Sequence, residues 1–203
     1  MTTKEKIIYE ALSLFSVRGY EAVSVRDISK NVGIKESSLY NHFKNKQDIF
    51  DTIIQVCNEK STQLFTNLNL QQTFEGNIEI YKSITPEFLL QLVTRTFEFY
   101  VSDDYMLKFR RLLTIEQFNN EAISKLYIDI FIDQAIEFQT ILFSTLMKEG
   151  LMIKADPKSV ALEFYAPVFL ILCRYDKLTD EVKEILKNHI VNFTNKNIKQ
   201  QKP

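Results

Sequence analysis

An all-α fold is expected from three features of the 203-residue sequence. Glycine and proline are scarce, with four of each. Long segments rich in Leu, Ile, Phe, Lys and Glu fill the space between them, with apolar residues at the three- and four-residue spacing of a helix face. Ser, Thr, Asp or Asn stands ahead of most of these segments, where a helix cap belongs. The predicted architecture is an N-terminal three-helix domain over residues 1–46, joined by a long helix over 47–68 to a C-terminal helical bundle. The bundle completes a second domain, residues 47–203.

Thr3 is placed to cap a first helix running to about Arg18, with Ile7, Ile8, Ala11, Leu12 and Phe15 as its apolar stripe and Gly19 at its end. Tyr20 to Val23 is a connector. Ser24 caps a second helix, and Asp27 three residues on gives a capping-box spacing. Val25, Ile28 and Val32 form its buried stripe, and Gly33 supplies the left-handed residue that ends a helix. A third helix is expected from about Lys35 to Phe43, held inward by Leu39 and Phe43. Glu36, Ser37, Ser38, Tyr40, Asn41 and Lys44 are left facing outward. Leu12, Phe15, Val25, Ile28, Leu39 and Phe43 form one small core. Two helices joined by a short turn containing Gly make a helix-turn-helix, whose second helix enters the DNA major groove.

The same residues resemble the DNA-binding domain of the TetR family of bacterial transcriptional regulators. The matching positions are Ala11, Leu12, Phe15, Gly19-Tyr20, Ser24-Val25-Arg26-Asp27-Ile28 and Gly33, then Leu39-Tyr40, His42-Phe43, Lys46 and Phe50. The resemblance covers about a quarter of the chain; the remainder agrees in length and helical character. It implies that Tyr40, His42 and Lys46 hold the DNA backbone, with Ser24 and Arg26 as the matching contacts from the second helix. Base readers are expected on the outer face of the third helix: Lys35, Glu36, Ser37, Ser38 and Asn41. Asn suits adenine, Lys guanine and Glu the cytosine amino group. Two positions depart from the family pattern. Lys35 stands where a capping Ser is common, and Glu36 sets an acid near phosphates.

Beyond residue 46 a fourth helix opens at Asn45 with Asp48 as its third residue. It carries Ile49, Phe50, Ile53, Val56, Cys57, Leu64 and Phe65 to about Leu68. At 1.5 Å per residue it spans roughly 35 Å. Residues 69–85 are the least regular and are expected to be a linker with one short helix. Pro86 then starts a fifth helix to residue 101, and Asp103-Asp104 open a sixth over about 104–117. A long apolar segment fills Asn120 to Lys148. Asp156 caps a helix with Pro157 at its first position, running to about Tyr175 and bent at Pro167. Thr179 starts the last helix, to about Asn197.

Aromatic residues crowd this second half, more than a bundle of this size needs for its own interior, which suits a ligand cavity and an oligomer interface. Arg95, Thr96, Phe99, Arg110, Phe131, Gln134 and Phe164 are candidates to contact a small-molecule effector. By resemblance, the 120–149 and 157–175 helices pair with their symmetry mates in a homodimer, through Phe138, Leu142 and Leu146 and through Leu162, Tyr165 and Phe169. A dimer would let two recognition helices read the half-sites of a palindromic, double-stranded DNA operator about 34 Å or a multiple apart. The implied function is a ligand-released repressor. The alternative is a DNA-binder of the same kind with no small-molecule ligand, controlled by a protein partner or acting in chromosome organisation.

Composition excludes less than the motifs do. The net charge of −1 does not mark a nucleic-acid binder, and residues 1–50 carry a mild excess of eight Lys/Arg over six Asp/Glu. Cys57 and Cys173 lie in apolar helical patterns and are expected to be buried free thiols. Two distant histidines and no paired Cys or His spacing give no metal site and no cofactor. No Gly-rich phosphate loop or nucleophile motif suggests an enzyme. No long apolar run or leader suggests a membrane partner, so a cytoplasmic protein is expected.

Overall fold

The computed structural model describes residues 1–67 and 85–199, the side chain of Phe65 excepted. The expected linker over 69–85 therefore lies almost wholly outside the described residues, as do Leu68 and the C-terminal tail. The described residues form α1 (Thr3–Arg18), α2 (Val25–Val32), α3 (Glu36–Leu39), α4 (Lys46–Asn67), α5 (Pro86–Ser102) and α6 (Asp104–Glu116). These are followed by α7 (Glu121–Ile128), α8 (Gln134–Lys148), α9 (Pro157–Arg174) and α10 (Asp180–Asn197). One isolated backbone bridge, Met152 with Ile198, is the sole extended pairing among them. None of the described helices is long and apolar enough to cross a membrane.

Caps set most of these boundaries. Asp103, Asp156 and Thr179 each accept a hydrogen bond from the amide three residues on, starting α6, α9 and α10 as their sequence positions predict. The first helix differs. Its cap is Thr2, not Thr3, because Glu5 reaches back to the Thr2 amide and closes a reciprocal capping box. The apolar segment 120–148 also differs: it is not one α-helix. Asp129–Asp133 wind as a π-helical turn between α7 and α8. The Gln134 backbone N–H donates to the Asp129 carbonyl five residues back, and its side-chain amide donates to the Asp129 carboxylate (2.9 Å).

The chain divides into two compact units. The first contains Met1–Leu64 and Asp103–Tyr127, so that α6 and nearly all of α7 join α1 to α4. In it α1 packs along α6 and against α2. Tyr9 is the centre of one contact: the Lys108 ammonium donates to its hydroxyl (2.8 Å) and lies over its ring, and Tyr105 meets the same ring. Lys60 of α4 pairs with Asp103 at the start of α6 (2.9 Å). Ile7, Ala11, Leu12, Phe15, Ile28, Leu39, Phe43, Ile49 and Ile53 are buried together with Phe109, Leu112 and Leu113. Val25, expected in this core, is only half-buried.

The second unit contains Phe65–Ser102 and Ile128–Pro203. Here α9 packs on α8, and α10 lies against α5 and α9. Phe143, Phe164 and Phe193 form an aromatic cluster with centroids 4.8–5.4 Å apart. His189 joins its edge and hydrogen-bonds the Phe164 carbonyl through Nε2 (2.8 Å). Pro167 lies within α9, which continues past it to Arg174.

The two thiols part company. Cys57 is buried in the first unit, whereas Cys173 is exposed, contrary to expectation, because it falls on the outer side of the last turn of α9. Burial pushes the Cys57 thiol up to about 12, so almost no thiolate exists at neutral pH. In a Cys173→Ser protein, a disulfide reagent at pH 7.5 should label nothing until denaturant exposes Cys57. Rapid labelling of the native variant would contradict this burial.

Candidate nucleic-acid interface

The interface candidate is built on α2, α3 and the start of α4. Ser24 and Asp27 form the expected capping box. The Ser24 hydroxyl accepts from the Asp27 amide (3.1 Å) and donates to the Asp27 carboxylate (2.7 Å), which also accepts from the Ser24 amide (2.9 Å). At the other end Gly33 sits at φ 80°, ψ 33°, the left-handed region that favours glycine. Its amide and that of Ile34 both reach the Ser29 carbonyl, closing α2 and turning the chain into α3.

These Ser24 hydrogen bonds hold the Asp27 carboxyl below the usual carboxylate range, with a smaller contribution from Arg18. A depressed carboxyl stabilises the fold above its unfolded value of about 3.9 and loses that contribution as pH falls through the lower folded value. The acid limb of thermal unfolding should therefore be shallower in Asp27→Asn, whose neutral amide keeps an acceptor oxygen. Identical acid limbs would show that this cap does not respond to protonation.

The third helix is shorter than its sequence pattern suggests. It ends at Leu39, and residues 40–43 continue as tight turns: the Asn41 amide bonds Ser38, the His42 amide Leu39, and the Phe43 amide Leu39. Lys35 makes no side-chain cap, as its departure from a capping residue implies. Leu39 is fully buried and is the single buried residue of α3; Phe43, just past the turn, is the second apolar tether. A short helix held from one side leaves the rest outward. Ser24, Arg26, Lys35, Glu36, Ser37, Asn41 and His42 are exposed, Ser38 is half-buried, and Tyr40 exposes half its surface (50%).

Lys46 is different. It is half-buried, its ammonium donates to the Tyr20 carbonyl (3.0 Å), and it lies 4.1 Å from the centroid of the Tyr20 ring. Tyr20 in turn bonds Gln47 through its hydroxyl and packs edge-on against Phe50 and tilted against Phe15. Its amide donates to Glu116, a carboxylate only 4% exposed at the end of α6 (2.8 Å). Asn45 caps α4 through the Asp48 amide (2.9 Å), and the Asp48 carboxylate accepts from the Lys44 amide. The turn after α1, the start of α4 and the end of α6 are thus fixed on one tyrosine. Glu116 was not singled out in the sequence. The available signal was its spacing, because Phe109, Leu112, Leu113 and Glu116 share one helical face.

Residues 7–53 match the family model for bacterial regulatory proteins of the tetR family. Over 54 residues the chain is 46% identical to the biofilm operon icaADBC negative transcriptional regulator IcaR of Staphylococcus epidermidis, covering 27% of this chain and 29% of that protein. Residues 7–53 are thus a regulatory domain of the TetR type. The TetR-type likeness to IcaR of Staphylococcus aureus is 32% over 98 residues, 48% of this chain and 52% of the relative. The chain thus spans about half the length, or less, of these curated relatives. A solved complex of SmeT with triclosan has the same fold over 98% of this chain and 93% of its own, with a TM-score of 0.71 and 18% identity.

The remaining candidates fall in both units. In the second, Arg95 and Gln134 are exposed, Thr96 and Phe99 are half-buried, and Phe131 and Phe164 are buried. Tyr100 meets Phe99 and Phe131 edge-on, and the Tyr165 hydroxyl donates to the Phe131 carbonyl. Arg110 is buried in the first unit. Leu142 and Leu146 are buried, Phe138, Tyr165 and Phe169 are half-buried, and Leu162 is exposed.

Proposed function

We propose that this protein is a dimeric transcriptional repressor that binds a palindromic operator and is released by a small molecule. The observation carrying the DNA-binding part is the short α3 held by Leu39 and Phe43, with Tyr40, Asn41 and His42 exposed on the turn that follows. Residues 1–46 form the reading domain. Lys35, Glu36, Ser37, Ser38 and Asn41 face base edges, while Ser24, Arg26, Tyr40, His42 and Lys46 contact phosphates. Lys46 keeps two ammonium N–H groups beyond the one donated to Tyr20, so it serves position and contact together.

Residues 47–203, entered through α4, sense and dimerise. Support for a dimer comes from large apolar side chains left in solvent on α8 and α9. Ile141, Leu162 and Leu170 are each more than 40% exposed, and Leu170 reaches 68%. Phe138, Tyr165 and Phe169 lie half-buried beside them in sequence, whereas Leu142 and Leu146 support the face from beneath. Charging it with Leu162→Glu and Leu170→Glu should convert dimers to monomers in light scattering, without loss of helicity. A variant that stays dimeric would show that this surface does not form the dimer.

The effector reading draws on SmeT, solved with triclosan, and on the Phe99, Tyr100 and Phe131 contacts of the second unit. Thr96, Arg95, Gln134 and Phe164 belong to the same candidate set, and Arg110 to the first unit. A ligand favouring the released state by 1–3 kcal/mol would weaken operator binding about 5- to 150-fold, and operator would weaken ligand binding equally. Competition titrations in both directions test this reciprocity. An effector that binds without shifting operator affinity would overturn ligand control.

A further inference from the structure

We propose that Lys4, in the first turn of α1, is a phosphate contact flanking the recognition turn. This deepens the DNA-binding reading above and rests on it. The sequence places Lys4 far from that turn, but the fold brings them together: its ammonium lies 5.5 Å from the centroid of the Phe43 ring. Phe43 is buried and directly follows Tyr40, Asn41 and His42.

The first turn of α1 is held in place. The Thr2–Glu5 capping box closes its start, and the Lys6 ammonium donates to the Val32 carbonyl at the end of α2 (2.9 Å). Lys4 is exposed on that ordered turn. The ammonium groups of Lys6 and Lys46 are engaged with backbone carbonyls. Among the described residues Lys4 has no carboxylate partner, and the neighbouring Glu5 is turned back onto the Thr2 amide (2.7 Å). An aromatic ring holds a cation without using its N–H donors. A positive group with open donors beside the groove-facing turn is complementary to a phosphodiester oxygen, which fixes register and carries no base information.

The test compares wild type, Lys4→Gln and Lys4→Arg on a duplex recovered by the wild-type protein from a random-sequence pool, across a salt series. For Lys4→Gln the slope of log K against log salt should shrink by about 0.9 for each bound protomer. Affinity should fall roughly three- to tenfold at moderate salt, to the same degree on matched and scrambled duplexes. Lys4→Arg should keep the slope. An unchanged slope in Lys4→Gln would overturn the assignment and leave Lys4 as a partner of the Phe43 ring. A weakened affinity accompanied by a lower melting temperature, with the slope unchanged, would do the same. If the wild-type protein recovers no duplex, the DNA reading itself fails and takes Lys4 with it, an outcome distinct from the others.

Discussion

Replacing Gly19 by Ala should lower stability by about 3–5 kcal/mol. Gly19 sits at φ 79°, ψ 162°, a region essentially reserved for glycine, where another residue costs about 1–3 kcal/mol. A Cβ there would also lie 2.5 Å from the Glu116 carboxylate oxygen, the same oxygen that accepts from the Tyr20 amide. Pushing Glu116 aside forfeits a charged hydrogen bond and strands a buried carboxylate, about 1.5–3 kcal/mol more. For a chain of this size the sum corresponds to a melting temperature roughly 10 °C lower. Thermal unfolding by circular dichroism checks it, and a double variant separates the causes. Gly19→Ala with Glu116→Ala removes the collision but not the backbone strain, so it should be less damaged than the two single losses combined. An unchanged melting temperature for Gly19→Ala would contradict both arguments.

Leu39→Ala should cost about 2–5 kcal/mol through lost burial and a residual cavity, and should abolish DNA binding even at temperatures where the chain remains folded. With four residues, α3 cannot sustain itself by helix propagation. Its position depends on Leu39, fully buried, and on Phe43 beyond the turn. Once that tether shrinks, Tyr40, Asn41 and His42 have no fixed geometry to offer a groove. Leu39→Met, nearly the same volume, should retain most binding. Binding by folded Leu39→Ala at wild-type affinity would show that the segment is positioned by something else.

Much of the reading domain was legible in the sequence because its signals are local. The Ser24–Asp27 box, the left-handed Gly33 and the stripe of α1 each depend on residues within four of one another, and each is found in place. The length of α3 was not legible. Leu39 and Phe43 have the i, i+4 spacing of a helix, but tight turns satisfy the same spacing, and Lys35 gives the helix no cap to lengthen it. Nor was the Tyr20 junction, whose partners Lys46 and Glu116 are distant in the chain. The π turn at 129–133 escaped because apolar periodicity alone does not resolve one extra residue in a winding. Exposure of Cys173 escaped for a related reason: on α9 an apolar side chain on the outer face reads like one on the inner.

The most direct test of the central claim is selection of bound duplexes from a random-sequence DNA pool by the purified wild-type protein. One palindrome should be enriched, its half-sites about one helical turn or a multiple apart. Recovery of no enriched sequence, by protein unfolded, dialysed and refolded to strip any bound effector, would contradict that claim.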